Sequence, residues 1–138
     1  MLTDYPVKIL LILELAIDGK KEPAEWLLNN DYPELAAFAN AIRRDKIAFD
    51  WLMNNGYADL AALTCAIEDD FEAYKWLKKY DRNFYIILSD AVQPKEYAMI
   101  YLKEHNLDIF SRLCIKIKEV KDQQASDAWD YHKASPFM

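Results

Sequence analysis

Glycine is scarce in this chain, which has 2 Gly and 5 Pro among its 138 residues. A phosphate-binding loop rich in glycine is therefore excluded. Histidine and cysteine are equally scarce, with 2 of each, and these distant pairs offer no zinc-ligand spacing. No Ser/His/Asp or Cys/His grouping can be argued either. We therefore predict no catalytic residue, no metal site and no cofactor, and we expect a protein that is not an enzyme.

The chain also lacks an excess of basic residues, since 17 Lys and Arg stand against 23 Asp and Glu, a net charge of -6. Nucleic-acid binding needs a clustered basic face, so this balance argues against a nucleic-acid partner. The apolar run Ile9–Leu13 ends at Glu14 and is too short to span a membrane. The segment before Pro6 carries an acid where a secretory signal needs basic residues. We expect a cytoplasmic protein that binds neither nucleic acid nor membrane.

What the sequence does contain is a repeat with a period of 25 residues. Its clearest column is aromatic, and a leucine follows each ring. The rings are Trp26, Trp51, Trp76 and Tyr101. Two positions before them lie Ala24, Phe49, Tyr74 and Met99. Self-similarity at one period is typical of an array of stacked units.

Each unit carries the spacing of two helices. One set of columns follows the i, i+3, i+4, i+7 pattern of a single helix face. In the first unit these columns begin at Leu10, Leu13, Glu14 and Ile17. The ring column and its neighbours give a second, shorter helix. Asp45 and Asp70 stand where two of these second helices begin, and a carboxylate there caps free backbone N–H groups.

The sequence therefore predicts an all-α fold, an α-solenoid of stacked αα-hairpins with about four and a half repeats in one domain, 1–138. The predicted units are about 6–30, 31–55, 56–80 and 81–105, followed by a capping helix at 107–133. We expect Trp129, Tyr131 and Phe137 to fold back over the last repeat. Cys65 and Cys114 lie two repeats apart, too far for a disulfide, so two free buried thiols are expected.

Stacked helical hairpins resemble the α-solenoid class, which includes TPR, ankyrin and HEAT arrays. The resemblance covers nearly the whole chain, but it is only architectural. TPR units have about 34 residues, ankyrin units about 33 and HEAT units about 40, all longer than the unit found here. Their signature motifs are missing as well. The resemblance therefore implies a fold class, and it transfers no functional residue to this sequence.

One pair of columns suggests a binding face. The middle units carry alanine pairs there, whereas the flanking units carry bulky apolar residues. Small residues allow inner helices to crowd together, which is one interpretation. The other is a shallow concave groove with an alanine floor, suited to a partner helix or extended peptide. The predicted partner-binding residues are Ala36, Ala37, Asn40, Ala61, Ala62, Ile86 and Asp90.

The first helix suggests a second binding face. Ile9, Leu11, Ile12 and Leu15 are large apolar residues that the repeat columns do not account for. An apolar patch of this kind marks an interface, and a two-fold homodimer is the commonest closed assembly. The alternatives are that the tail covers this helix or that the true partner does.

These features favour a non-catalytic scaffold that binds another protein through its concave face or its N-terminal apolar face. An inhibitor or immunity-type protein, masking a partner surface, is one alternative. A small-molecule carrier or an enzyme with an internal cavity is an alternative of another class.

Overall fold

A computed structural model of the chain describes residues 1–126 and 135–137. Over these residues the structure is helical and contains no strand, which confirms the all-α prediction. A short 3-10 helix, Leu2–Asp4, precedes the α-helices. These are α1 (Val7–Ile17), α2 (Lys21–Asn29), α3 (Pro33–Ile42), α4 (Lys46–Asn54), α5 (Ala58–Ile67), α6 (Phe71–Lys79), α7 (Asn83–Val92), α8 (Glu96–Glu104) and α9 (Asp108–Ser126). The rest of the predicted capping helix, 127–133, with Trp129 and Tyr131, lies outside the described residues.

The turns between helices use positive φ angles, mostly without glycine. The residues that adopt them are Gly19, Asp31, Arg44, Gly56, Asp69, Asp81 and Asn106. Short polar side chains such as Asp and Asn tolerate this left-handed conformation better than other residues do. This explains how a chain with so little glycine forms so many tight helical turns. Asp45 and Asp70 cap α4 and α6 as predicted.

The odd-numbered helices make a closed circuit of contacts. Each packs against the next from α1 to α9, and α9 then returns to pack against α1. Two ion pairs join these ends, Arg112 with Glu14 at 3.0 Å and Lys116 with Asp18 at 3.2 Å. The even-numbered helices flank the circuit, each packed between two consecutive odd-numbered helices. An open solenoid keeps its first and last units apart, whereas here α1 and α9 are in contact. The structure thus shows packed helix pairs, and the solenoid of 25-residue repeats stays a prediction.

Apolar side chains from all five odd-numbered helices fill the centre of this circuit. Leu63 and Ile67 are 1% and 4% exposed, so both side chains lie in the core. Only about 10 Å³ remains open among these central side chains. That volume holds no more than about one water molecule. The centre is therefore a packed core and has no room for a ligand.

The circuit of odd-numbered helices encloses the core, and other parts of the chain cover the core at both of its ends. At one end Leu2 is buried, and its backbone N–H donates to the Tyr85 hydroxyl at 3.1 Å. At the other end α9 continues beyond α1. There Lys121 Nζ donates to the Ile42 carbonyl and pairs with Glu68 at 3.3 Å. Among the described residues, no helix is both long enough and apolar enough to cross a bilayer.

Candidate functional site

The described surface carries a cleft between α2 and α4, here called the first gap. Its volume is about 550 Å³, within the range of about 300–1,000 Å³ typical of ligand sites. Helix α3 forms its floor. It is lined by Ala16, Gly19, Lys20, Lys21, Ala24, Glu25, Leu28, Pro33, Ala36, Ala37, Asn40, Arg43, Asp45, Ile47, Ala48 and Trp51.

Small residues make the first gap deep, and large apolar residues stand at its rim. Ala36 and Ala37 lie on the floor with little exposed surface, and Ala24 lies on the α2 wall. Leu28 is 58% exposed and Ile47 is 82% exposed. Apolar side chains left in water beside a concave surface are the usual sign of an interaction site. The gap therefore offers apolar area on its floor and on both rims.

One end of the first gap carries three basic side chains, Lys20, Lys21 and Arg43. Lys20 also pairs with Asp18 at 3.5 Å and Lys21 with Glu25 at 3.7 Å, both at the surface, where such pairs are weak. Arg43 Nη1 donates to the Ile17 carbonyl at 3.2 Å, which ties this side chain to the last turn of α1. Gly19 makes room for this contact, because a Cβ at Gly19 would lie 2.8 Å from Arg43 Cζ. The gap thus has basic side chains at one end, beside its apolar walls.

Asp45 sits where this end meets α4. Its Oδ1 accepts hydrogen bonds from the N–H groups of Ile47 at 2.9 Å and Ala48 at 3.2 Å, as an N-cap does. Its Oδ2 accepts none from the residues that the structure describes. Further along α4, the Trp51 ring stacks on Tyr57 at 5.9 Å. A carboxylate oxygen and an aromatic ring therefore line the same wall.

The cleft between α4 and α6, here called the second gap, holds a segment of the chain itself. Phe137 packs edge-on against Phe49 of α4 at 6.4 Å and against Trp76 of α6 at 5.5 Å. Ser135 Oγ donates to Asp70 Oδ2, while Asp70 Oδ1 caps α6. The prediction that Phe137 covers the last repeat is therefore wrong, because its aromatic partners lie on the middle hairpins.

Tyrosine side chains converge between α6 and α8, in the third gap. Tyr74 donates to Asp90 Oδ2 at 3.1 Å, Tyr97 donates to the same oxygen, and Lys95 pairs with Asp90 Oδ1 at 3.1 Å. Burial raises the pKa of both tyrosines, and their bonds to the carboxylate raise it further. Asp90 is 3% exposed. Its charge is thus satisfied internally, and it presents little surface to a partner.

The predicted partner-binding residues do not share one concave face. Ala36, Ala37 and Asn40 line the first gap. Ala61 and Ala62 are 0% exposed, so they form no open floor in this structure, and their role in partner binding stays a prediction. The physical reason is the other interpretation of these columns, since small residues let helices approach closely. Ile86 is half-buried against the core and Asp90 is buried, so neither forms the edge of such a groove.

The four predicted dimer residues are covered to different degrees. Ile9 is 8% exposed and Leu15 is 41% exposed. Leu11 and Ile12 are half-buried, and Ile12 packs against the core. Helix α9 packs against α1, so the chain itself covers part of this helix. The homodimer itself stays a prediction.

Sequence reasoning missed the walls of the first gap, which are formed by Ala24, Leu28, Ile47 and Trp51. One signal was present in the repeat columns. Ala24 is the small member of a column whose other members are Phe49, Tyr74 and Met99. A missing large side chain at one copy of a packed position indicates an unfilled space at that copy. Leu28 and Ile47 carried no signal, because isolated surface apolar residues are common.

Within residues 1–126 and 135–137, no group of three or more His, Cys, Asp or Glu side chains is placed to hold a metal ion. Comparisons with protein-family models, with curated proteins and with solved structures give no match to this chain.

Proposed function

We propose that this protein is a non-catalytic interaction scaffold of the cytoplasm, and that it binds a segment of a partner protein in the first gap. The observation that carries the proposal is the gap itself, an open cleft of about 550 Å³ with alanines on its floor and exposed aliphatic rims. An extended peptide can fill such a groove with its apolar side chains and contact the polar end with its backbone or charged groups.

The proposal includes the finer architecture. We propose that the helical hairpins are copies of one 25-residue unit, so that equivalent gaps recur between consecutive outer helices. In that case the first gap is the copy that the chain leaves free for a partner. The apolar face of α1 then has a smaller role, because only Leu15 among its four surplus residues is exposed.

A crosslinking experiment tests the proposal. Ile47 is replaced by a photo-crosslinking residue, which should leave the fold unchanged because Ile47 is 82% exposed. A matched control carries the same residue at Ile115, which is 60% exposed on α9. We expect crosslinks from position 47 to one defined segment of a partner protein, and none from position 115.

A double substitution separates the outcomes. Leu28→Glu with Ile47→Glu adds charge to both rims and should abolish capture of that partner, whereas Ile115→Glu should not. Equal capture by both variants would contradict the proposal. A small molecule that copurifies with the wild type and is lost with the rim variant would also contradict it, and would support the carrier instead.

A further inference from the structure

The second gap already binds a peptide segment, and its lining repeats in the first gap. Counting back 25 residues, Asp70 corresponds to Asp45, Trp76 to Trp51 and Phe49 to Ala24. All three first-gap residues line the open cleft. The groups that hold Ser135 and Phe137 in the second gap are therefore present in the first gap, with one difference in size.

The carboxylate and the ring perform separate tasks in the second gap. Asp70 uses one oxygen to cap α6 and accepts the Ser135 hydroxyl with the other. Trp76 and Phe49 enclose the Phe137 ring, and such aromatic pairs contribute beyond their buried area. Asp45 caps α4 in the same way with one oxygen, and its other oxygen accepts no hydrogen bond from the described residues. The same spacing of hydroxyl and ring thus fits both gaps.

The size difference predicts a larger ring. Ala24 replaces Phe49, so the first gap has more space opposite its tryptophan. Well-packed apolar contacts need the cavity to be filled. A tryptophan side chain should therefore fill the first gap better than a phenylalanine does.

The charges at the entrance differ as well, and this difference selects the occupant. The first gap ends in Lys20, Lys21 and Arg43. The corresponding second-gap positions are Asp45, Lys46 and Glu68. A peptide with the sequence of residues 133–137 has a lysine two positions before its serine, and that charge would be repelled by the basic end of the first gap. The tail of a second copy is therefore a poor occupant of the first gap.

We propose that the first gap recognises a segment of a different protein with the pattern acidic residue, any residue, Ser or Thr, any residue, aromatic residue, with tryptophan preferred at the last position. This inference rests on the proposed function and names its ligand class. The hydroxyl donates to Asp45 Oδ2, the aromatic ring packs between Trp51 and Ala24, and the acidic residue faces Lys20 and Lys21.

Peptide titration of the full-length protein tests this pattern. The probe is the fluorescently labelled peptide Glu-Ala-Ser-Pro-Trp-Met, compared with Lys-Ala-Ser-Pro-Phe-Met, the chain's own terminal sequence. We expect the first peptide to bind at least about tenfold more tightly, because ring size and entrance charge both favour it. Replacing its Trp by Ala should weaken binding by at least about tenfold. Replacing its Glu by Lys should weaken binding by about threefold, less at high salt.

Protein variants locate the site. Asp45→Ser keeps a capping side chain at α4 but removes the second acceptor oxygen, so we expect binding to weaken by about threefold or more. Leu28→Glu with Ile47→Glu should abolish binding, and Ile115→Glu should leave it unchanged. Equal affinity for the two peptides would overturn the pattern. So would an affinity that is unchanged by Asp45→Ser and by the rim substitutions.

The two proposals fail separately. If position 47 crosslinks to a partner segment that lacks this pattern and the peptide does not bind, the pattern is wrong and the scaffold stands. If neither the crosslink nor peptide binding is observed, both are wrong.

Discussion

The first and second gaps occupy corresponding positions between consecutive outer helices, yet one is open and the other is occupied by Ser135 and Phe137. In the repeat register their walls differ in size at Ala24 against Phe49 and in polarity at Ile47 against Glu72, and their entrances differ in charge. The comparison indicates that a position packed in one repeat is left as an open cleft in the preceding repeat, where the large side chain is missing. The predictions below remove or exchange the features that distinguish the two gaps.

The largest effect should come from the core that supports both gaps. Leu63 is 1% exposed at the centre of the circuit. Leu63→Ala should lower the free energy of unfolding by about 2–5 kcal/mol through lost burial and the cavity left behind. Urea denaturation measures this. A change below about 1 kcal/mol would mean that the centre is not the shared foundation described here.

Emptying the second gap should have a smaller effect. Phe137→Ala removes a half-buried ring from its contacts with Phe49 and Trp76, and should cost about 1–2 kcal/mol of unfolding free energy. Phe71→Ala is the control, because Phe71 is 69% exposed and its loss should cost less than about 0.5 kcal/mol. Equal losses in the two variants would show that the tail contributes nothing to the second gap.

Thiol reactivity compares the floors of the two gaps. Cys65 lies 25 residues after Asn40, so the two residues occupy the same position in consecutive repeats. Burial, and then the nearby Asp70 and Glu68 charges, raise the pKa of Cys65 to about 12. At pH 8 a thiol reagent should therefore modify Cys65 slowly in the folded protein. Asn40→Cys, placed on the floor of the open gap, should react at least about tenfold faster, because the thiolate is the reactive form.

The same raised pKa sets a pH dependence. The folded state holds the Cys65 proton between 9.0 and about 12, while the unfolded state releases it. The contribution of the Cys65 thiol to the free energy of unfolding is therefore fully present below pH 9.0. It is lost as the pH rises from 9.0 to about 12. Cys65→Ala should reduce the slope of stability against pH there. An unchanged slope would contradict the assigned burial.

The smallest effect concerns assembly. Helix α9 covers α1, and Leu15 is the one exposed residue among the four predicted for a dimer interface. This argues against the homodimer predicted from the sequence, because the exposed part of the patch is much smaller than the area that a stable interface buries. We therefore expect the wild type and Leu15→Glu to sediment alike as monomers at about 10–50 μM. A dimer in the wild type that Leu15→Glu dissociates would restore the α1 interface.

Much of the fold could be predicted because packing repeats with the chain. The repeat columns predicted the two helices of each unit, and Asp45 and Asp70 were correctly predicted as helix caps. Closure of the circuit was not predicted, although its signal lay in the exceptions. Glu14 is the charged member of a small column at the first copy, and Lys116 breaks an alanine column at the last. Such charges in otherwise apolar columns become meaningful only when the ends of the array meet.

The candidate site was predicted in part for the same reason. Periodicity identified the alanine pairs, but it could not say whether they faced a partner or an outer helix. Ala36 and Ala37 line an open cleft while Ala61 and Ala62 are covered. The difference depends on how the surrounding helices pack, which involves residues from other elements. No local pattern contains that information.

The most direct test of the account is an indole N–H chemical-shift titration with Glu-Ala-Ser-Pro-Trp-Met. If the first gap is the binding site, the Trp51 indole resonance should shift with added peptide, while the Trp76 resonance, enclosed by Phe137 in the second gap, should stay in place. A shift of Trp76 with Trp51 unchanged would contradict the central claim, because it would mean that the peptide displaces the chain's own tail and that the first gap is not the site.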